Sequence, residues 1–242
     1  MKNKVLSKTK SLILKIKNPC YSKSTKFVWH NSDNAAMYKK MPLTHLKQMA
    51  IQGGIDQGCD IKVLTKYINK ANFILEVGAG YGRVLNHIIK SGFKGKLFAV
   101  ERSPKLYRFL KKQFPQIPIY CKDIQRFKTK RKFDLILLLW AGLCDFSQME
   151  QLPLLKQLVS CLNSGGFLII DLIPNACKII NAINHDRRNK TAKTPYGENH
   201  GYLPDKREIK RYIQKLNLLQ TEIIVYTTQT GKKRKLYVLR KD

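Results

Sequence analysis

Acidic residues are scarce in this chain. Its 242 residues include 16 Asp and Glu against 46 Lys and Arg, which gives a formal net charge of +30 at pH 7. An excess of positive charge on this scale attracts polyanions at low ionic strength. The composition therefore leaves a nucleic acid open as substrate or partner, and it equally fits a basic surface that serves only solubility.

Paired metal-ligating residues are missing as well. The six cysteines never form a C-x-x-C pair, and most of them lie inside or beside apolar runs. This usage is typical of reduced, buried thiols in a cytoplasmic protein. We therefore expect no metal site and no disulfide framework.

Long apolar segments are also absent. No run approaches the ~18 residues that span a bilayer, and the apolar stretch at residues 11–14 is too short for a signal peptide. Val5, Leu12 and Ile16 can share one face of a basic helix, which allows peripheral membrane contact through the N-terminus. The alternative is a basic tail, partly disordered or packed on the domain.

A glycine-rich segment stands out at residues 74–83. An apolar run ends at Glu76, and a helical pattern of apolar residues begins at Val84. Between them lie three glycines at alternate positions, Gly78, Gly80 and Gly82. Glycine allows the positive φ angles of a tight turn and lets a ligand approach bare backbone. The segment therefore predicts a strand, a turn and a helix that together hold a nucleotide-type cofactor.

The spacing of these glycines disfavours two common nucleotide sites. A G-x-G-x-x-G fingerprint needs a third glycine where the chain has Arg83 or, in the other register, Leu85. A phosphate-binding loop needs Gly-Lys-Ser/Thr, which the segment lacks. A nicotinamide oxidoreductase is thus disfavoured, while a glycine turn without a ligand stays open as an alternative.

The pattern E-x-G-x-G-x-G resembles motif I of the class I methyltransferases that use S-adenosylmethionine (SAM). The resemblance covers about residues 70–175 in register and continues more loosely to the end. It implies an α/β, Rossmann-like fold, with a seven-stranded, mostly parallel sheet, helices on both faces and an antiparallel last strand. It also implies a basic N-terminal extension or lid at 1–43 and a methyltransferase domain at 44–242.

The second predicted strand, residues 96–100, ends at Glu101. This acid follows Gly82 by 19 residues, close to the ~20 typical of nucleotide-binding βαβ units. A carboxylate there can accept hydrogen bonds from two ribose hydroxyls. The alternative is a solvated acid that merely closes a strand.

The third predicted strand, residues 117–121, is followed by Asp123 and Ile124. The resemblance implies that Asp123 binds the adenine amino group and that the backbone N–H of Ile124 meets a ring nitrogen. Asp is also a common helix N-cap, and the two roles are compatible.

The later apolar runs complete the predicted sheet. Residues 133–140 are nearly continuously apolar, which favours a central parallel strand buried on both faces. The remaining predicted elements are a helix at 151–162, a glycine turn at 163–166, a strand at 167–171, a helix at 208–218 and strands at 221–227 and 235–239.

The resemblance implies that SAM is held at the carboxyl ends of the first four strands. The residues assigned to it are Glu76, Gly78, Ala79, Gly80, Gly82, Glu101, Arg102, Asp123, Ile124, Leu139 and Trp140.

Methyl transfer from a sulfonium needs in-line approach and exclusion of water more than chemical activation. We therefore expect few strictly catalytic side chains. The acceptor pocket is expected above the strand ends, with Asp145 nearby, the N-terminal segment as a lid and the polar, irregular segment 187–202 as a second lid. Candidates for meeting the acceptor are Trp140, Tyr38, Tyr196 and His200, although packing or surface roles fit each of them.

The acceptor itself stays open. Methylases of exocyclic base amines carry Asn/Asp-Pro-Pro-aromatic after the fourth strand, whereas residues 139–142 read Leu-Trp-Ala-Gly. Base methylation of that type is disfavoured, a small molecule is favoured, and RNA or protein stays open. The rival interpretations are a nucleic-acid-binding protein on a methyltransferase scaffold and aminopropyl transfer from decarboxylated SAM.

Overall fold

The described part of the chain starts with a helical region that precedes the sheet. The structure is a computed structural model that describes residues 28–173 and 182–242. The first helices are α1 (Asn31–Lys40), α2 (Leu43–Gly53), α3 (Cys59–Lys62) and α4 (Thr65–Ile68). The proposed amphipathic helix near the N-terminus lies outside the described residues.

Strands and helices then alternate. They are β1 (Phe73–Val77), α5 (Arg83–Lys90), β2 (Lys96–Val100), α6 (Pro104–Gln113), β3 (Ile119–Tyr120), β4 (Phe133–Leu138), α7 (Gln148–Ser160) and β5 (Leu162–Leu172). Two 3₁₀ helices, Ile124–Arg126 and Gly142–Asp145, follow β3 and β4. The last elements are β6 (Ala182–Asn184), β7 (Asn189–Thr194), β8 (Gly197–Tyr202), α8 (Lys206–Lys215), β9 (Leu218–Thr227) and β10 (Lys233–Lys241).

Seven strands form the main sheet in the order β3-β2-β1-β4-β5-β10-β9. Strands β1 to β5 pair in parallel, and β10 is antiparallel to both β5 and β9. The predicted α/β fold, with a mostly parallel seven-stranded sheet and an antiparallel last strand, is confirmed.

Each face of the sheet carries its own apolar core. In β1, Ile74 packs in one core and Leu75 in the other, and in β4 the neighbours Leu135 and Ile136 divide in the same way. All four side chains are essentially inaccessible to solvent. Burial on both faces explains why these strands read as continuous apolar runs without alternation.

The segment 187–202, predicted to be irregular, consists mostly of paired strands, so its predicted irregularity is wrong, while its role as a lid stays a prediction. Strands β6, β7 and β8 form a separate three-stranded antiparallel sheet. Its hairpin turns between Thr194 and Gly197, and Thr194 Oγ1 donates to the Gly197 carbonyl at 2.7 Å. Main-chain pairing, rather than an apolar alternation visible in the sequence, defines these strands.

Two helices begin at residues other than those predicted from the sequence, because capping residues set their first turn. Helix α7 begins at Gln148 because Ser147 and Glu150 form a capping box, and α8 begins at Lys206 because Asp205 and Glu208 do the same. The turn predicted at 163–166 is a bulge inside β5, between the pairs Phe133–Leu162 and Leu135–Phe167.

Among the described residues, no helix has the length and apolar character needed to cross a membrane. The four described cysteines, Cys59, Cys121, Cys144 and Cys161, are free thiols, and the last two are buried. The cytoplasmic location stays a prediction.

Candidate functional site

The carboxyl ends of three neighbouring strands bring the predicted site together. Val77 pairs with Val100, and Val100 pairs with Tyr120. The glycine turn after β1, Glu101 after β2 and Asp123 after β3 therefore meet at one edge of the sheet, where ligands bind in open α/β folds.

A cleft lies over this edge and encloses about 390 Å³, including space open to solvent. Its lining comprises Leu46, Glu76, Val77, Gly78, Ala79, Gly80, Tyr81, Arg83, Val84, Leu139 and Trp140. Six residues that the sequence assigned to the cofactor thus line it. The other five, Gly82, Glu101, Arg102, Asp123 and Ile124, lie outside the lining.

The glycines of the turn differ in what they make room for. Gly78 and Gly82 both have positive φ, +73° and +81°. A Cβ on Gly78 would meet no atom within 4 Å, whereas one on Gly82 would lie 2.4 Å from Phe114 Cε2. Gly82 is therefore needed for packing against α6, while Gly78 leaves open backbone at the cleft.

Glu76 presents an unpaired carboxylate oxygen at the floor of the cleft. The residue is 5% exposed, and its Oε2 has no hydrogen-bond partner among the described residues. Burial raises the pKa of Glu76 to about 8, Arg83 opposes this shift, and the charge of Glu101 adds to it. A buried polar atom without a partner is costly, so this oxygen is available to a ligand that enters the cleft.

Beneath Glu76 lies a buried ion pair that sequence reasoning missed. Arg83 donates to both carboxylate oxygens of Asp60, at 2.8 and 2.6 Å, and to the Ile55 carbonyl at 2.9 Å. Both partners are at most 6% exposed. The pair ties the start of α5 to α3, and so holds the glycine turn from below.

Glu101 braces the turn. Its Oε2 accepts a hydrogen bond from Gly80 N at 2.8 Å and its Oε1 accepts one from Ser103 N at 2.7 Å. Burial raises the pKa of Glu101, and these two backbone N–H groups oppose the rise. Each oxygen keeps a further lone pair for a ligand, so ribose binding stays a prediction.

The other predicted cofactor residues, Arg102, Asp123 and Ile124, make their contacts outside the cleft. Asp123 is half-buried and caps a 3₁₀ helix, because its Oδ1 accepts from Gln125 N at 2.9 Å. Ile124 is buried in the core. Arg102 donates to the Asn31 carbonyl at 3.2 Å and to the Asn31 side chain, so it reaches α1 rather than the cleft.

The roof of the cleft joins α1, α2 and the β7–β8 hairpin. We use "roof" for the cluster Met37, Met41, Leu46 and Leu106 with the half-buried Tyr38, Tyr81 and Tyr196 packed on it. Leu46 and Tyr81 also line the cleft. Tyr38 and Tyr196 thus both pack against the roof, but neither of them lines the cleft.

His200 lies away from this roof. Its Nδ1 is 2.8 Å from Thr191 Oγ1, and its ring packs against Trp29 with centroids 5.6 Å apart. Its backbone N–H donates to Asn34 Oδ1 at 2.7 Å. Burial lowers the pKa of His200, and its contacts fasten α1 to the hairpin.

Trp140 lines the cleft in a strained backbone conformation. Trp140 and Ala141 have φ of +52° and +58°, which non-glycine residues rarely adopt. The Ala141 N–H donates to Asp171 Oδ2 at 3.3 Å, and Arg234 binds the same buried carboxylate at 2.6 Å. A buried ion pair thus supports the strained loop. Strained backbone persists only where the surrounding structure holds it in place.

Comparison with known proteins agrees with this geometry. Residues 74–166 match the family described as a methyltransferase domain. No curated protein sequence is significantly similar to the chain.

Several solved structures share the fold. An S-adenosylmethionine-dependent methyltransferase from Clostridium acetobutylicum ATCC 824 is 14% identical, with a TM-score of 0.61 over 82% of this chain and 97% of that one. A SAM-bound amino pentose methyltransferase from Micromonospora echinaspora is 13% identical, with a TM-score of 0.58 over 90% and 100%. Magnesium protoporphyrin IX methyltransferase from Synechocystis PCC 6803, with bound SAM, is 12% identical, with a TM-score of 0.62 over 90% and 100%.

The chain thus has the fold of these SAM-dependent methyltransferases, and residues 74–166 match a methyltransferase domain. The predicted fold and the resemblance to this family are confirmed, and SAM is the cofactor that the resemblance implies.

Proposed function

We propose that the protein transfers the methyl group of SAM to a small-molecule acceptor by direct in-line displacement, catalysed mainly by positioning. The observation that carries this proposal is the cleft itself. There Glu76, whose Oε2 has no partner among the described residues, lines the same space as Gly78, whose backbone no described side chain covers.

The residues present fit SAM, which carries both an ammonium and a sulfonium charge. Glu76 would accept a hydrogen bond from a cationic donor, and Gly78 and Gly80 would offer close backbone approach. Glu101 and Asp123 would hold the ribose and adenine, as the family resemblance implies. When bound, SAM supplies a methyl group whose bond to sulfur breaks, with its electron pair left on sulfur, as the bond to the acceptor forms.

The roof supports a small acceptor. Its core of Met37, Met41, Leu46 and Leu106 is at most 5% exposed, and through Leu46 it gives the cleft an apolar side. Exclusion of water and orientation of two reactants are what a positioning mechanism needs. Two of the similar proteins are described by small-molecule substrates, an amino pentose and magnesium protoporphyrin IX.

The net charge of +30 supports a second candidate, an RNA substrate or partner, since polyanion attraction is expected at low salt. Labelled SAM incubated with separate fractions of metabolites, lipid, protein and RNA distinguishes the two. Label confined to metabolites agrees with the proposal, and label in RNA contradicts it.

The cofactor part of the proposal is tested by calorimetric titration of SAM and S-adenosylhomocysteine. Glu101→Ala removes the acceptor of the Gly80 N–H bond, and we expect affinity to fall about ten-fold or more. Glu198→Gln removes one charge from an exposed position on β8 and should leave affinity unchanged. Failure of the wild type to bind either compound below about 1 mM, the weak end of specific binding, would refute the proposal.

A further inference from the structure

One carboxylate beside the roof has an unused oxygen. Asp145 Oδ2 accepts a hydrogen bond from the Tyr38 hydroxyl at 3.1 Å. No described residue donates to Asp145 Oδ1, and the residue remains partly accessible to solvent. The free atom is an acceptor when the carboxylate is ionised, so it suits a ligand that brings a donor.

Three elements hold the Tyr38–Asp145 pair in place. The Asp145 carbonyl, at the end of its 3₁₀ helix, accepts from Asn31 Nδ2 at 2.8 Å and from Asn34 Nδ2 at 3.1 Å on α1. The Tyr38 hydroxyl accepts from Asn199 Nδ2 at 3.2 Å on β8. Since the single proton of Tyr38 is committed to Asp145, the pair offers a ligand an acceptor and no donor.

The pair belongs to elements that reach the cleft, although neither residue lines it. Tyr38 packs in the roof with Tyr81 and Leu46, which do line the cleft. Asp145 ends the 3₁₀ helix that follows Trp140, another lining residue. A ligand that reaches Asp145 Oδ1 would therefore lie at the margin of the site proposed for the cofactor.

The carboxylate of Asp145 favours a cation and repels an anion. The positive charge of Arg102, which Asn31 holds by hydrogen bonds, acts on Asp145 and opposes this preference. The ring of Tyr38, whose hydroxyl donates to Asp145, packs in the roof, and aromatic faces attract ammonium groups.

The ionisation of Asp145 agrees with this placement. Burial raises the pKa of Asp145 to about 6, while the hydrogen bond from Tyr38 and the charge of Arg102 oppose the rise. The carboxylate is therefore ionised near neutral pH and more basic than an exposed aspartate.

We propose that Tyr38 and Asp145 form the acceptor-binding pair, that the acceptor is a small amine, and that Asp145 Oδ1 takes its proton. An N–H bond of the bound ammonium breaks, the proton passes to Oδ1, and the electron pair stays on nitrogen as the lone pair that receives the methyl group. Asp145 is then the catalytic residue and Tyr38 the positioning residue. This inference rests on the proposed function.

The test compares matched probes on the full chain: benzylamine, benzyl alcohol and benzoate, titrated with and without saturating S-adenosylhomocysteine. We expect benzylamine to bind about ten-fold more tightly than benzyl alcohol and benzoate to bind weakest, because a charge-assisted hydrogen bond is the stronger one. Equal affinity for amine and alcohol in the wild type, or a preference for benzoate, would overturn the inference without any variant.

Asp145→Asn should abolish the preference for amine over alcohol while S-adenosylhomocysteine binds as in the wild type. Glu198→Gln is the control of equal charge and should retain the preference. A merely structural role would weaken both probes alike, so a loss restricted to benzylamine separates the two roles. Tyr38→Phe should keep the preference and lower amine affinity a few-fold, and retention of full preference in Asp145→Asn would contradict the assignment.

The two proposals fail differently. Failure of the wild type to bind S-adenosylhomocysteine would refute the proposed function. The preference among the three probes is also measured without S-adenosylhomocysteine, so it is an independent result. Normal cofactor binding with no amine preference would remove only the acceptor assignment.

Discussion

Glu76→Gln tests the unpaired acid at the floor of the cleft. Burial raises the pKa of this carboxyl from its ordinary value of 4.5 to about 8. Between these two values the unfolded chain releases the proton while the folded protein keeps it. Stability that is fully present below pH 4.5 is therefore lost progressively as pH rises towards 8.

The magnitude follows from the width of that window. Each pH unit between the two pKa values changes the free energy of unfolding by about 1.4 kcal/mol. At pH 7 the cofactor-free wild type has thus lost about 3 kcal/mol that it had at pH 4.5. Glutamine has nearly the same shape and does not ionise, so the variant should not lose this part.

Urea denaturation of both proteins between pH 4.5 and 8, without cofactor, measures the difference. We expect the stability of the variant relative to the wild type to grow steadily across this range. The same substitution should weaken SAM binding about ten-fold, because a cationic ligand ionises Glu76 when it binds and glutamine cannot supply that charge-assisted hydrogen bond. Parallel stability curves would refute the buried, unpaired state of Glu76.

Two further substitutions test the turn and the strained loop. Gly78→Ala should lower SAM affinity about ten-fold or more, because the new Cβ meets no described atom within 4 Å and can clash only with the ligand. Gly92→Ala is the control, since Gly92 has a similar φ of +79° and equally open surroundings, and it should lower stability without changing SAM affinity. Equal effects of the two substitutions on SAM binding would contradict close approach of the ligand at Gly78. Asp171→Asn leaves Arg234 without its buried partner and should lower the free energy of unfolding by about 3 kcal/mol, measured by chemical denaturation. The fluorescence of Trp140 should change as well. A loss below about 1 kcal/mol, the size of an exposed ion pair, would show that the pair does not support the loop.

The sheet and the glycine turn could be predicted because their signals are local. Buried parallel strands need apolar side chains on both faces, so runs such as residues 133–138 are visible in the sequence alone. The turn is visible because positive φ and open backbone both demand glycine. The family resemblance then supplied the number of strands and the antiparallel last strand, which composition and periodicity leave undetermined.

The partners of the site residues could not be predicted, because they depend on contacts between distant segments. Nothing near Tyr38 in the sequence identifies Asp145, 107 positions away, as the partner of its hydroxyl. Arg102 directly follows Glu101, which is predicted to bind the cofactor, yet the side chain of Arg102 extends to Asn31. The β6–β8 sheet carries few apolar residues, and its polar sequence reads as a loop until the backbone pairing is known.

The net charge of the protein favours polyanions, whereas the acidic residues near the cleft favour cations. The distance over which each set of charges acts decides which ligand each one attracts. Charges exposed on the surface are screened over about 10 Å in ordinary salt, while buried charges are screened far less. The few acids of this basic chain include Glu76 in the cleft, Glu101 on the glycine turn and Asp145 beside the roof. The excess of lysine and arginine therefore governs loose encounters with polyanions, whereas the proposed function assigns the choice of ligand in the cleft to these acids. A cationic acceptor beside a cationic cofactor, as proposed, would require such local negative charge, which a cationic ligand induces at Glu76 when it binds.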